Sequence, residues 1–187
     1  MEELLVALSG LWLMLPALLP NSAAVLFGGG IPVDFGRSWG GRRILGDGKT
    51  WCGFIGGCAA GVALGILLMM MTFPFDSDTL WGFGSYPEAL GVILVLSLGS
   101  LLGDMGGSFI KRRLNVERGA KMPVLDQYDF LIGALVLILI FYPDWFLSNY
   151  WDGNGWIALL TLLVAVPLLH RGVNIIGYRM GKKEVPW

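Results

Sequence analysis

The chain has 187 residues, of which 55 % are hydrophobic and only 14 % charged. A soluble globular domain carries about 25 % charge, and disordered chains are poor in apolar residues, so both classes are excluded and lipid is left as the main solvent. The net charge of −1 says nothing about partners, but the distribution of charge along the chain does.

A membrane-spanning helix needs roughly 20 mainly apolar residues. Five runs predict such helices: residues 4–20, 51–73, 88–104, 130–142 (extended slightly at both ends) and 156–170. The first begins with Glu2 and Glu3 where a signal peptide would be basic, so it is expected to stay in the membrane. Cys52 and Cys58 open the second run without a metal-ligand spacing and read as packed thiols. Met69, Met70 and Met71 lie deep in it as packing residues. His170, beside Arg171, reads as a solvated helix end. No internal repeat or soluble domain is visible, and residues 1–187 form one transmembrane domain.

All 13 Lys and Arg fall in three segments. Arg37, Arg42, Arg43 and Lys49 lie between the first and second runs. Lys111, Arg112, Arg113, Arg118 and Lys121 lie between the third and fourth, and Arg171, Arg179, Lys182 and Lys183 follow the fifth. The N-terminus and residues 74–87 and 143–155 have none; the last two carry Trp81, Tyr86, Trp145, Tyr150 and Trp151, an interfacial aromatic belt. The positive-inside rule therefore predicts an all-α integral membrane protein with its N-terminus outside, its C-terminus in the cytoplasm, and two long cytoplasmic loops, 28–49 and 103–129.

Those loops hold the reactive side chains. Ser100, Asp104, Ser108 and Lys111 fall at intervals of four, four and three, on one helical face. Asp126 and Asp129 share a face at the start of the fourth helix. An aspartate near hydrocarbon costs about 2.5–3.5 kcal/mol to insert, so each is expected to face a polar cavity with a partner. Two readings stand side by side. Asp104, Asp126 and Asp129 pair with Arg112, Arg113 and Lys121 at the interface, or they converge on a divalent cation that cancels their repulsion. Gly46-Asp47-Gly48-Lys49-Thr50 resembles the end of a phosphate-binding loop, but Arg43 stands where that motif needs glycine and no strand precedes it. Either the glycines, helix start and Lys49 receive an anion, or Asp47 caps the second helix and Lys49 is an interfacial anchor. Asn21, after Pro20, is a polar or capping residue at the end of the first helix, and Gly28-Gly29-Gly30 is a loop open to phosphate.

These residues carry a resemblance. Gly103-Asp104-Met105-Gly106-Gly107-Ser108-Phe109-Ile110-Lys111-Arg112-Arg113, followed by Leu125-Asp126-Gln127-Tyr128-Asp129, resembles the signature of membrane CTP:phosphatidate cytidylyltransferases. Pro20-Asn21, Gly28-Gly29-Gly30-Ile31-Pro32-Val33-Asp34 and Gly41 to Trp51 are similar to the archaeal branch of that family, the CDP-archaeol synthases, as is Gln127. The likeness covers nearly the whole chain. Cys52 departs from it, standing where the archaeal pattern has Arg; a phosphate contact by that arginine would fall to Arg42 or Arg43.

The resemblance implies a cytidylyltransferase of the cell membrane, its site facing the cytoplasm. It would transfer CMP from CTP to an unsaturated ether-lipid phosphate, 2,3-bis-O-geranylgeranyl-sn-glycerol 1-phosphate, releasing pyrophosphate. It implies Mg²⁺ held by Asp104, Asp126 and Asp129, with Lys49 and Lys111 at the reacting phosphates. Asn21, Asp47, Gly48, Thr50, Ser108 and Arg112 complete the implied substrate contacts. The expected partners are CTP, the lipid phosphate and membrane lipid, with no nucleic acid. A small transporter or channel is the rival reading and requires polar residues through the full membrane depth. A CDP-alcohol phosphatidyltransferase lacks its Asp-Gly-x-x-Ala-Arg pattern here.

Overall fold

The computed structural model describes residues 1–74, 80–116 and 122–181. Six α-helices and one small hairpin follow in the order α1 (Glu2–Phe27), β1 (Ser38–Trp39), β2 (Arg42–Arg43), α2 (Trp51–Thr72), α3 (Glu88–Arg113), α4 (Pro123–Phe141), α5 (Pro143–Tyr150) and α6 (Gly155–Arg179). Five of them, all but α5, are long and apolar enough to cross a membrane. The expectation of five apolar helices holds, with longer boundaries. α1, α3, α4 and α6 run past the apolar stretches into polar sequence, because polar residues continue a helix as readily as apolar ones once it is nucleated. Arg118, Lys121, Lys182 and Lys183 lie outside the described residues.

Lipid offers no hydrophobic drive between helices, so the bundle is held by close backbone approach and by polar bonds across helices. α3 packs most extensively against α4, and α1 against α2. At the first contact glycine meets glycine: a Cβ on Gly103 would lie 2.9 Å from the Gly133 Cα and would also overlap the Asp129 carbonyl. At the second, a Cβ on Gly57 would lie 2.6 Å from the Pro20 oxygen. The core combines Leu13, Met14, Ile93, Leu96, Leu131, Ile138 and Leu162, all buried.

Three prolines lie inside spanning helices, and the carbonyls that two of them, Pro20 and Pro167, leave without a donor each receive a hydroxyl from a neighbouring helix. Pro20 lacks the N–H that would bond Pro16, and Ser97 Oγ of α3 donates to the Pro16 oxygen at 3.1 Å. Pro167 leaves Leu163 likewise, and Tyr128 of α4 donates to it at 2.7 Å. α5 docks through Tyr150, whose buried hydroxyl donates to the Gly10 carbonyl at 2.8 Å. These bonds fix α1, α3, α4 and α6 relative to one another and so fix the end of the bundle where the charged residues gather.

Candidate active site

The loop between α1 and α2 is shaped by one carboxylate. Asp34, its side chain 1 % exposed, accepts from the amides of Gly36 (3.0 Å), Leu45 (3.0 Å) and Gly46 (3.1 Å) and from the Arg43 guanidinium at 2.7 Å. Burial alone would push the Asp34 carboxyl up. Arg43 and the three amides more than offset this and hold it well below the usual carboxylate range. Arg43 also pairs with Asp47. A second hub comes from the end of α3: the Arg113 guanidinium donates to the carbonyls of Trp39, Arg42 (3.2 Å) and Arg43 (2.8 Å) and lies over the Phe109 ring at 5.3 Å. Together Asp34 and Arg113 clamp the hairpin to α3. Thr50 closes the loop as the N-cap of α2, accepting from Gly53 at 3.2 Å and from Gly29 at 3.3 Å.

Two cavities open against this loop. The first, about 390 Å³, is lined by Arg42, Arg43, Asp47, Lys49, Ser108 and Arg112 among others, four cations against one paired acid. The second, about 200 Å³, lies between α1, α2 and α3 and is mostly apolar, with Asn21, Lys49, Thr50 and Asp104 as its polar lining. Gly48 and Lys49 belong to both. Beneath the shared wall sits an alternating cluster of charges. Lys49 pairs with Asp104, and Lys111 pairs with Asp126. Asp126 also reaches back to the Met122 amide at 3.0 Å. The Asp129 carboxylate lies in the field of Asp104, Lys49 and Lys111 and is seated on Gly107, where a Cβ would come within 2.8 Å of the Asp129 Cβ.

The structure thus gathers Lys49, Asp104, Lys111, Asp126 and Asp129 into one cluster. Asp47, Gly48, Ser108 and Arg112 line the first cavity, and Asn21 and Thr50 the second. Several expectations need correction. Asp47 does not cap α2; Thr50 does, three residues later, and Asp47 is taken by Arg43. Asn21 is no cap, since α1 continues to Phe27; it donates to Ser100 at 3.4 Å and leaves its own carbonyl oxygen without a partner. Asp104 stands well inside α3. The partners of Asp104 and Asp126 are Lys49 and Lys111, whereas Arg112 and Arg113 donate to backbone carbonyls. Lys121, the other expected partner, lies outside the described residues. Asp34 and Arg113 were not singled out as organisers by the sequence, and only the Gly-Gly-Gly-Ile-Pro-Val-Asp resemblance touched the first of them.

The donor chemistry at the cluster fits Mg²⁺, which prefers hard oxygen ligands and takes one or two carboxylates together with substrate phosphates. No three acidic, His or Cys side chains form a ready metal cage among the described residues. The carboxylates present suit a site that phosphate oxygens complete.

Helices long and apolar enough to span a membrane, around a partly buried charged cluster with a cationic cavity beside it, define a polytopic membrane protein with a polar site at one end of its bundle. The comparisons narrow this further. Over residues 1–187 the chain matches the CarS-like CDP-archaeol synthases, and it belongs to that family. A CDP-archaeol synthase of Methanospirillum hungatei is 49 % identical over 175 residues, covering 93 % of this chain and 100 % of the relative. That of Picrophilus torridus is 44 % identical over 191 residues, with both chains fully covered. A solved structure of an intramembrane enzyme for archaeal membrane lipids biosynthesis superposes with a TM-score of 0.69 at 39 % identity, covering 90 % of this chain and 94 % of its own.

Proposed function

We propose that this chain makes CDP-archaeol, joining the CMP of CTP to the phosphate of an unsaturated archaeal ether lipid and releasing pyrophosphate. The observation that carries the reading is the wall shared by the two cavities. A nucleotide triphosphate is polyanionic and water-soluble, which suits the cavity lined by Arg42, Arg43, Lys49 and Arg112. A lipid phosphate arrives sideways from the bilayer, which suits the apolar cavity between α1, α2 and α3. Lys49 touches both, so it stands where the two phosphates must meet.

In the reaction a lipid phosphate oxygen bonds to the α-phosphorus of CTP. The bond from that phosphorus to the β-phosphate oxygen breaks, and its electron pair leaves with pyrophosphate. Such a transfer needs alignment and charge neutralisation more than a strong base. Lys49 neutralises charge where the phosphates join, while Arg42, Arg43 and Arg112 hold the leaving pyrophosphate. Lys111 keeps Asp126 oriented toward the cluster, and Gly107 leaves room for Asp129. Asp104 and Asp126, with Asp129 behind them, would hold Mg²⁺, which supplies further neutralisation of the triphosphate when bound. The rival reading of a transporter is not favoured: among the described residues beyond Ser97, the buried face of α3 is Ile93, Val92 and Ala89, all apolar.

Lys49→Ala is expected to raise the KM for CTP, or lower kcat/KM, tenfold to a hundredfold, the loss of a charge-assisted contact of about 1.5–3 kcal/mol. The assay is steady-state CDP-lipid formation by the purified protein with labelled CTP, Mg²⁺ and an ether-lipid phosphate. Unchanged CTP kinetics would return Lys49 to the role of an interfacial anchor.

We place the site on the cytoplasmic side, with the N-terminus outside, because the basic residues cluster at the site's end of the bundle. In a Cys52→Ser, Cys58→Ser background, a cysteine at Asp152 should react with an impermeant maleimide on intact cells, and one at Ser38 should not. The opposite labelling pattern would invert the orientation.

A further inference from the structure

We propose that the turn at residues 31–37 is a bilayer anchor: Ile31, Phe35 and Trp51 form an apolar patch bedded in the headgroup–acyl boundary of the leaflet where α2 begins. The backbone supplies the first observation. The Arg37 amide donates to the Asp34 carbonyl at 2.8 Å, closing a tight turn. Its two central residues, Phe35 and Gly36, have φ of 50° and 77°. Glycine takes such angles freely, and Asn or Asp tolerates them; a bulky aromatic residue does so only under strain. The strained residue then turns its ring outward, leaving Phe35 61 % exposed. A strained backbone that carries an exposed ring is the situation in which an unusual conformation points to a function.

The second observation is what the ring touches. Phe35 meets Trp51 with centroids 6.2 Å apart, and the Trp51 amide donates to the Ile31 carbonyl at 3.0 Å. Ile31 is itself 61 % exposed. Trp51 is the first residue of a helix apolar enough to cross a membrane, the level at which tryptophan settles in a bilayer. The patch is therefore held at the membrane surface by its contact with Trp51. Ile55, one turn beyond Trp51 on α2, and Phe27 at the end of α1 are exposed as well. Charge completes the match. Asp34 faces inward, while Arg37, the last residue of the turn, stays exposed beside the apolar tip. An apolar tip with a basic rim complements an anionic lipid surface.

The anchor keeps the second cavity, lined in part by Gly28, Val33 and Phe54, level with the headgroup phosphates. That consequence rests on the function proposed above, whereas the anchor itself does not, and the test reads only the anchor. In the full-length protein with Cys52→Ser and Cys58→Ser, Phe35→Cys is labelled with an environment-sensitive NBD fluorophore and reconstituted into anionic nanodiscs. Ile31→Cys, which does not disturb the strained turn, is labelled in parallel, and Ser38→Cys serves as the reference. The expected result is blue-shifted emission at positions 31 and 35, quenched by lipids brominated near the headgroup end of the acyl chain several times more strongly than at position 38. Water-like emission at 31 and 35 would overturn the proposal. A blue shift without lipid quenching would also overturn it, by showing that a second copy or another protein covers the patch.

Discussion

Replacing Asp104 or Asp126 by asparagine is expected to reduce CDP-lipid formation on the order of a thousandfold, the scale on which active sites lose rate when a charge-stabilising group is removed. An amide matches the carboxylate in shape but is a poor ligand for Mg²⁺. Stability should change little. Lys49 loses Asp104 but remains in the field of Asp129, and removing one of three neighbouring acids relieves their repulsion. If the aspartates serve only as counter-charges for Lys49 and Lys111, the opposite follows. The variant would be destabilised, because a half-buried lysine is left unpaired, and its folded fraction would keep working. Activity per folded molecule and Tm, each measured with and without Mg²⁺, separate the two. An unstable variant with full activity per folded molecule would sink the metal assignment.

Gly103→Val is expected to cost about 3 kcal/mol or more and to remove activity with it. A Cβ at this position meets the Asp129 carbonyl and the Gly133 Cα, which are backbone atoms of the facing helix and cannot move aside as a side chain would. α3 and α4 would have to separate, and Asp126 and Asp129 would move away from Asp104 and Lys111. Gly106→Ala is the control, since a Cβ there meets nothing within 4 Å; it should be nearly neutral. Denaturation in mixed detergent micelles, followed by far-UV circular dichroism, checks both. A Gly103→Val protein as stable as its parent would mean that the α3–α4 crossing tolerates a wider separation.

What the sequence discloses of this fold follows from how local each signal is. The apolar runs are local, and all five spanning helices were legible from them. α5 was not, because eight residues opening with Pro143-Asp144 resemble a loop until Tyr150 finds the Gly10 carbonyl. Apolar runs stop short of the helix ends, because hydropathy reports the membrane, not the backbone. Spacing and resemblance together identify the charged residues of the site, but not the lysines that Asp104 and Asp126 pair with. Helical spacing shows that Asp104 and Lys111 share a face, but it cannot show that Lys49 closes on that face from another segment. Asp34 carries its information wholly in bonds to residues two to twelve positions away, which no period or motif rule reads.

The order of the charged pairs along the chain bears on biogenesis. Lys49 is synthesised a whole helix before Asp104, and Lys111 before Asp126. Each lysine therefore waits at the membrane surface when the helix carrying its aspartate leaves the translocon. α3 and α4 can then enter lipid with their counter-charges already made, and neither acid has to be inserted alone.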